Sequence, residues 1–412
     1  MPAYLWRVWS RGREEPPYRA QWPERLGWYQ DAPPATDWVW LHAVSLGETR
    51  AAAPLIAALR QKLPQMRLLL THTTATGREA GQALLQPGDA QAWLPYDTPG
   101  AVRRFLRHFK PRVGVLMETE VWPNLVREAR RAAVPMVLAN ARLSPKSLRQ
   151  GQRFAALLRP AAQALRLTLA QTEDDAARLR AMGAVPVQVS GNVKFDVSPS
   201  PALLSQGQRW RDADARPVCL AASTREGEEP ALLDAWVAAS QSRVFAKPRL
   251  LIVPRHPQRF DDVAACVSER GLSLSRRSDW PQGQPDARAL QADVWLGDSM
   301  GEMPAYYTAA TLAWLGGSFA PFGGQNLIEA AACACPLILG PSTYNFAKAA
   351  ELSLAAGASC QVAHWREAVQ LALQWLGDGV ASRREAALLF SGEHRGASAR
   401  MADAIIITIS YL

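Results

Sequence analysis

Glutamates recur in this 412-residue chain where apolar runs give way to polar loops. In "WLHAVSLGETRAAAPLI", Ser45, Gly47 and Glu48 stand between a strand-like stretch and an alanine-rich helical one. A Glu in the first turn of a helix complements the helix dipole, which favours its ionised form. The same carboxylate is placed to accept a proton from an alcohol. Gly47 permits a turn or the close approach of a ligand. Glu118 and Glu120 follow "VGVLM" in "METEVWPN". They suit sugar hydroxyls or a cationic group, or they cap the helix that begins after Trp122. Asn140 and Arg142 in "LANARLS" occupy a similar strand end, and Lys194 in "GNVKFD" can pair with a phosphate or carboxylate.

The second half of the chain carries anion chemistry. Ser223, Thr224 and Arg225 precede a helix in "ASTREGEE", where hydroxyls and backbone amides can converge as a nest. Arg255 and His256 lie between prolines in "VPRHP", and Arg can grip a phosphate through two parallel donors. "GDSMGEMPAYY" supplies Asp298, Ser299, Gly301 and Glu302. "GGSFAPFGGQNLIEAA" pairs glycines at 316/317 and 323/324 before Asn326 and Glu329. Glycines there let backbone approach a phosphate, and Glu329 is placed to accept from ribose hydroxyls. Neither a GxxxxGK[ST] loop nor GxGxxG is present, which argues against an ATPase and an ordinary NAD dehydrogenase.

Short apolar runs alternating with helical stretches must position these residues. "DWVWLHA", "MRLLLTH", "RVGVLM", "VPMVLAN" and "VPVQVSGN" read as strands of one half, and "RPVCLAAST", "RLLIVPRHP", "DVWLGD", "LAWLGGSF" and "CPLILGP" as those of another. Intervening helical segments predict parallel sheets with helices on both faces. The polar residues cluster at the carboxyl ends of the strands, where open sheets bind ligands. The predicted organisation is an arm and basic segment at 1–32, a Rossmann-like domain at 33–195, a linker at 196–214, a second Rossmann-like domain at 215–365 and a helical tail at 366–412.

Composition narrows the class. Hydrophobic residues make up 48% and charged residues 20%, as in an ordered globular protein. Five cysteines without a CxxC pair, and histidines without HExxH, imply neither a disulfide framework nor a protein-held metal. Cytoplasmic, reducing conditions fit that usage. No apolar run reaches the ~18–20 residues that span a bilayer, and the apolar end "ADAIIITISYL" predicts burial in the fold or against a partner. The net charge is +9, and residues 99–160 hold 13 Lys or Arg against three Glu. That excess suits nucleic acid, an anionic membrane or a phosphorylated substrate, or is a solvated face.

In order along the chain, "HAVSLGE", "THTTATG", "METEVWPN", "NARLS", "GNVKFD", "ASTREGEE", "PRHPQRF", "GDSMGEM" and "GGSFAPFGGQNLIEAAA" resemble the 3-deoxy-D-manno-octulosonic acid (Kdo) transferases of lipopolysaccharide biosynthesis. The resemblance implies an α/β GT-B glycosyltransferase fold, two Rossmann-like domains facing a cleft. It implies inverting, metal-independent transfer from CMP-Kdo to a lipid A precursor, with no cofactor beyond the donor substrate. It makes Glu48 the general base and Arg255 the donor-phosphate residue, with Ser223, Thr224, Met300, Gly301, Glu302, Asn326 and Glu329 around the donor. Ser45, Gly47, Glu118, Glu120 and Lys194 become acceptor-side or supporting residues. The implied partners are CMP-Kdo, a phosphorylated lipid A precursor and an anionic inner-membrane surface rather than nucleic acid. The implied place is the cytoplasmic face of that membrane, peripheral or weakly anchored. The pattern departs from the family at Gln325 and Arg225, where His is common, so Gln325 has no acid–base role and Arg225 adds fixed charge. Members usually begin with a longer hydrophobic anchor. Here "MPAYLWRVWS" precedes "RGREEPPYR", so either the anchor is reduced to an interfacial arm or the start omits it. The rival readings are a GT-B transferase using another nucleotide sugar, and a non-catalytic membrane- or RNA-binding protein.

Overall fold

The computed structural model describes residues 21–30, 37–196, 198–240 and 248–410. The expected interfacial arm falls largely on residues 1–20, outside the described ones. The chain divides into two compact units, Met1–Asp196 with His394–Leu412, and Val197–Glu393.

The first unit is built on seven parallel strands: β1 (Trp38–His42), β2 (Arg67–His72), β3 (Ala90–Trp93), β4 (Pro111–Met117), β5 (Met136–Ala141), β6 (Leu167–Ala170) and β7 (Val187–Val189). Their order is β3-β2-β1-β4-β5-β6-β7. Leu41 lies beside Leu70 on one side and Val115 on the other. Strand side chains alternate between faces, so Trp38 and Trp40 pack with Phe105 and Leu125, while Val39 and Leu41 pack with Leu55 and Ile405. Both faces are buried, which is why these strands read as unbroken apolar runs. The order reverses between β1 and β4, opening a crevice at their carboxyl ends.

The helices of this unit start where the residues demand. Pro99, Pro123 and Pro145 occupy first-turn positions, where the missing N–H costs nothing. The apolar C-terminal run forms the helix Ala397–Ser410, which buries Met401, Ile405 and Ile409 against the helix Leu46–Lys62. Each such side chain contributes about 1.5–3 kcal/mol. Asp196 accepts hydrogen bonds from the Gly396 and Ser398 amides, capping that helix from the far end of the unit's other segment.

The second unit repeats the architecture with β8 (Val218–Thr224), β9 (Arg249–Pro254), β10 (Leu274–Arg276), β11 (Val294–Leu296), β12 (Leu312–Leu315), β13 (Leu337–Leu339) and β14 (Ser359–Gln361). The order is β10-β11-β9-β8-β12-β13-β14, again all parallel. Its reversal lies between β8 and β12. Trp314 sits between Trp236 and Trp365, 6.0 and 6.1 Å from their ring centres.

Two expected boundaries change. Residues 196–214 are not an open linker: Pro201–Ala213 is a helix of the second unit. Trp210 is fully buried and donates to the Gly283 carbonyl at 2.8 Å, and a Cβ on Gly207 would lie 2.2 Å from the Ala305 carbonyl oxygen. One tryptophan and one glycine anchor this helix, too sparse a signal among Ser, Pro and charge. The tail at 366–412 is helical but divided. Trp365–Gly377 and Val380–Glu393 belong to the second unit, and Ala397–Ser410 returns to the first.

Candidate active site

At the end of β1 the chain turns through Val44 into Ser45, the extended N-cap of the helix Leu46–Lys62. Ser45 Oγ accepts the Glu48 amide at 3.4 Å. The Glu48 carboxylate reaches back, accepting the Val44 amide at 2.8 Å and the Ser45 hydroxyl at 3.3 Å. This is a variant capping box, so Glu48 does serve the helix start. Gly47 is the second helical residue and has no left-handed backbone, so the turn does not require it. The nearest atom to an added Cβ is Ser45 Oγ at 3.9 Å, which leaves open space above the helix start.

Glu48 is half-buried beside two further carboxylates at the end of β4. Burial raises its pKa, the Val44 amide opposes the shift and the charge of Glu118 adds to it. Glu120 is pushed up to about 7, first by burial and then by Glu48, against a hydrogen bond from Trp122 Nε1 at 2.9 Å. A carboxylate that is reluctant to ionise near neutrality is a stronger base once it has done so.

Two strand ends are strained. Glu118 has φ +57° and Asn140 φ +52°, left-handed conformations that cost non-glycine residues about 1–3 kcal/mol each. Glu118 is buried and accepts from Arg142 Nε at 2.8 Å, while Lys194 Nζ lies 3.7 Å from its other oxygen. Asn140 Oδ1 accepts the Val193 amide at 3.2 Å, fixing the segment that carries Lys194. The first-unit residues singled out in the sequence are thus brought together, and Asn140 and Arg142 join them.

In the second unit Ser223 is also left-handed, at φ +56°, on the last turn of β8. Its hydroxyl makes one long contact, 3.9 Å to Met303 Sδ. The nest expected here is already filled. Buried Glu228 accepts the amides of Arg225 and Gly317 at 2.8 Å and of Phe319 at 3.0 Å. Thr224 is buried too, its hydroxyl donating to Glu229 at 2.7 Å, and Glu229 also takes both Arg259 donors. The protein's own carboxylates occupy these donors and tie the two loops together. The "EE" that begins the helix Glu228–Ser240 carried that signal; its partners lie about 90 residues away in sequence.

Arg255 remains available. It is exposed, its amide donates to the Thr224 carbonyl at 3.0 Å, and its charge lowers the Glu329 pKa against the larger upward effect of burial. Glu329 lies in the first turn of the helix Leu327–Ala332, which Asn326 caps through the Ile328 amide at 3.1 Å. Gly317, Gly323 and Gly324 have φ of +70°, +81° and +74°, the conformations for which the loop needs glycine. Gln325 is half-buried beside Gly317, and the Arg225 guanidinium lies 4.1 Å from the Phe322 ring centre. Met300 is exposed next to left-handed Gly301. Glu302 instead is committed: Gln206 at 2.7 Å, Arg277 at 2.8 Å and Ser299 all donate to it. Burial disfavours its charge, and these donors outweigh that and hold its pKa below the usual value. Glu302 braces the loop, and among these three residues only Met300 and Gly301 stay open. Among the described residues no group of three or more His, Cys, Asp or Glu is arranged to hold a metal ion.

Two doubly wound units with polar residues at their strand ends define the GT-B class of glycosyltransferase fold. A UDP-GlcNAc 2-epimerase from Neisseria meningitidis shares it at a TM-score of 0.56 and 16% identity, over 90% of this chain and 99% of that one. A glycosyltransferase from Rickettsia africae ESF-5 shares it at 0.57 and 12%, over 91% and 99%. A family model described as "3-Deoxy-D-manno-octulosonic-acid transferase (kdotransferase)" matches residues 20–197. The 3-deoxy-D-manno-octulosonic acid transferase of Bordetella pertussis is 47% identical over 418 residues, covering 98% of this chain and 95% of that protein. That of Haemophilus influenzae is 31% identical over 398 residues, covering 95% and 92%. The chain belongs to the 3-deoxy-D-manno-octulosonic acid transferase family and is a glycosyltransferase.

Proposed function

We propose that Glu48 is the general base for transfer of Kdo from CMP-Kdo to a hydroxyl of a lipid A precursor, in lipopolysaccharide inner-core synthesis. The observation that carries this role is the half-buried Glu48 carboxylate, fixed by Val44 and Ser45 and raised in pKa among other carboxylates. Glu48 removes the acceptor proton as the oxygen bonds to the anomeric carbon of Kdo. The bond from that carbon to the CMP phosphate breaks, and its electron pair leaves with CMP. Attack opposite the leaving group inverts the anomeric centre. Arg255 offsets the phosphate charge, with the 316–326 loop and Ser223 beside it, and Glu329 holds ribose hydroxyls. In this route the Arg255 guanidinium supplies the positive charge that offsets the leaving phosphate.

The acceptor reaches the enzyme at an anionic membrane surface, on the cytoplasmic face of the inner membrane. No helix among the described residues is long and apolar enough to cross a membrane. The helix Pro145–Gln152 has no buried residue, and Phe154 and Leu157 beyond it are 65% and 59% exposed. Lys146, Arg149, Arg153 and Arg159 are exposed along the same segment. Apolar side chains flanked by cations suit a lipid interface.

The deciding experiment is transfer from CMP-Kdo to a tetraacylated lipid A precursor, followed by product mass, with Glu48→Gln beside the wild type. The variant should bind CMP normally and lose about 10²–10⁴ in rate. Wild-type turnover by the variant would remove Glu48 from the mechanism.

A further inference from the structure

The stretch "THTTATG", residues 71–77, has no part in the steps above, yet it closes around the turn that carries Glu48. His72 ends β2 and is fully buried. Its Nδ1 donates to the Ala43 carbonyl at 2.9 Å. That carbonyl and the Val44 N–H belong to one planar peptide and point in opposite directions. Holding the carbonyl therefore aims the N–H, which donates to Glu48 Oε2 at 2.8 Å. On the other side of the ring, the Gln91 side-chain nitrogen donates to Nε2 at 3.0 Å and to the Arg78 carbonyl at 2.7 Å. A neutral ring with its proton on Nδ1 satisfies both contacts. Burial keeps it in that form, pushing its pKa down to about 4 against the Ala43 hydrogen bond, and the Arg78 charge adds to the shift.

The next peptide is held as well. The Val44 carbonyl accepts the Thr74 hydroxyl at 2.7 Å and the Thr74 amide at 3.2 Å. An added Cβ on Gly77 would lie 3.0 Å from that carbonyl oxygen and 2.8 Å from Thr74 Oγ1, so glycine lets the helix Ala75–Gln82 pack against the turn. Capping the helix Leu46–Lys62 needs only the contacts of Val44 and Ser45. An apolar side chain at 72 would fill this end of β2 without burying polar atoms.

We propose that His72 is a positioning residue for the general base: Gln91, His72 and the Ala43–Val44 peptide form one chain of hydrogen bonds that ends on the Glu48 carboxylate, and Thr74 holds the peptide that follows. This rests on the reading of Glu48 as the base and adds what aims it. Each link polarises the next, which strengthens the last donor. The chain engages Oε2, while Oε1 takes the longer contact, 3.3 Å from Ser45, and is the oxygen offered to the acceptor.

The test compares wild type, His72→Asn, His72→Leu, Thr74→Ser and Thr74→Val, with CMP-Kdo and a tetraacylated lipid A precursor. Asn sets its side-chain nitrogen near the place of Nδ1 and keeps the donor, whereas Leu fills the space without one. His72→Leu should lose about 10–100-fold in kcat, with CMP binding and the acceptor KM near wild type, and His72→Asn should recover most of the loss. Thr74→Val should show a smaller loss that Thr74→Ser restores. The Val44 amide opposes the raised pKa of Glu48, so the acid limb of kcat/KM should move to higher pH in His72→Leu and stay in place in His72→Asn. Ser45, Glu118, Glu120 and Arg142, which also act on Glu48 or interact with its charge, are unchanged in every variant. A loss in His72→Asn as large as in His72→Leu, or an unmoved acid limb in His72→Leu, would overturn the proposal. If His72→Leu fails to fold, the Thr74 pair decides: equal turnover by Thr74→Val and wild type overturns it, and a loss in kcat restored by Ser upholds it. Wild-type turnover by Glu48→Gln would instead remove the base itself, a distinct result.

Discussion

At the scale of single residues, Glu48 and Glu120 cannot be treated as independent acids. Burial pushes the Glu120 carboxyl up to about 7, and Glu48 is raised in the same direction. A carboxyl whose folded pKa lies above its unfolded value holds its proton more tightly in the folded protein. Its favourable contribution is complete below the ordinary value of 4.5 and is lost as pH rises through about 7. Glu120→Gln should therefore be more stable than wild type at pH 8, by on the order of 1 kcal/mol, and show little difference at pH 5. Melting temperatures at the two pH values check this. Activity should show the same group with opposite sign. The wild-type rate rises as Glu48 ionises and rises again near pH 7, when the charge on Glu120 makes Glu48 the stronger base. The Gln variant should keep the first rise and lose the second in a kcat/KM profile from pH 5 to 9.

At the scale of elements, the site depends on how closely strand ends can approach. A Cβ on Gly316 would lie 2.4 Å from the Ser223 carbonyl oxygen, across the reversal between β8 and β12. Gly316→Ala should force these ends apart, cost about 1–3 kcal/mol in stability and weaken CMP binding. Thermal unfolding and CMP titration measure the two effects. The sequence made the central strands plain, since "DWVWLHA" and "RVGVLM" are covered on both faces and read as solid apolar runs. It hid β3, β6, β10 and β14, which have three or four residues each. The helices Pro99–Phe109 and Phe260–Ser268 also escaped the strand-centred reading. Glu48 and its neighbours were legible because each ends an apolar run. Glu228 filling the glycine loops was not, because that role depends on contacts about 90 residues away. The bracing of Glu302 by Arg277 and Gln206 was hidden for the same reason.

At the scale of the whole molecule, the net charge is +9, and residues 99–160 hold 13 Lys or Arg against three Glu. Each Lys or Arg close to an anionic bilayer adds about 1 kcal/mol of attraction, fading within a Debye length of ~8 Å at physiological salt. Replacing Phe154 and Leu157 with Ser, together with Arg149 and Arg153 with Gln, should reduce co-sedimentation with phosphatidylglycerol vesicles. Transfer to a detergent-dispersed acceptor should be spared. Undiminished sedimentation would place the lipid contact elsewhere.

The carboxylate of Asp196 has a topological consequence. It binds the Gly396 and Ser398 amides, so the point where the chain departs the first unit and the point where it comes back are already neighbours. In connectivity the second unit is a guest inserted into a host. Excising residues 197–393 and joining the ends through a two-glycine bridge should leave a host with all seven strands and its closing helix. Cooperative melting of that splice, with Glu48 and Glu120 still titrating by carbon-13 NMR, would make the proton chemistry measurable without the guest, and a molten product would show that the host needs its insertion to fold.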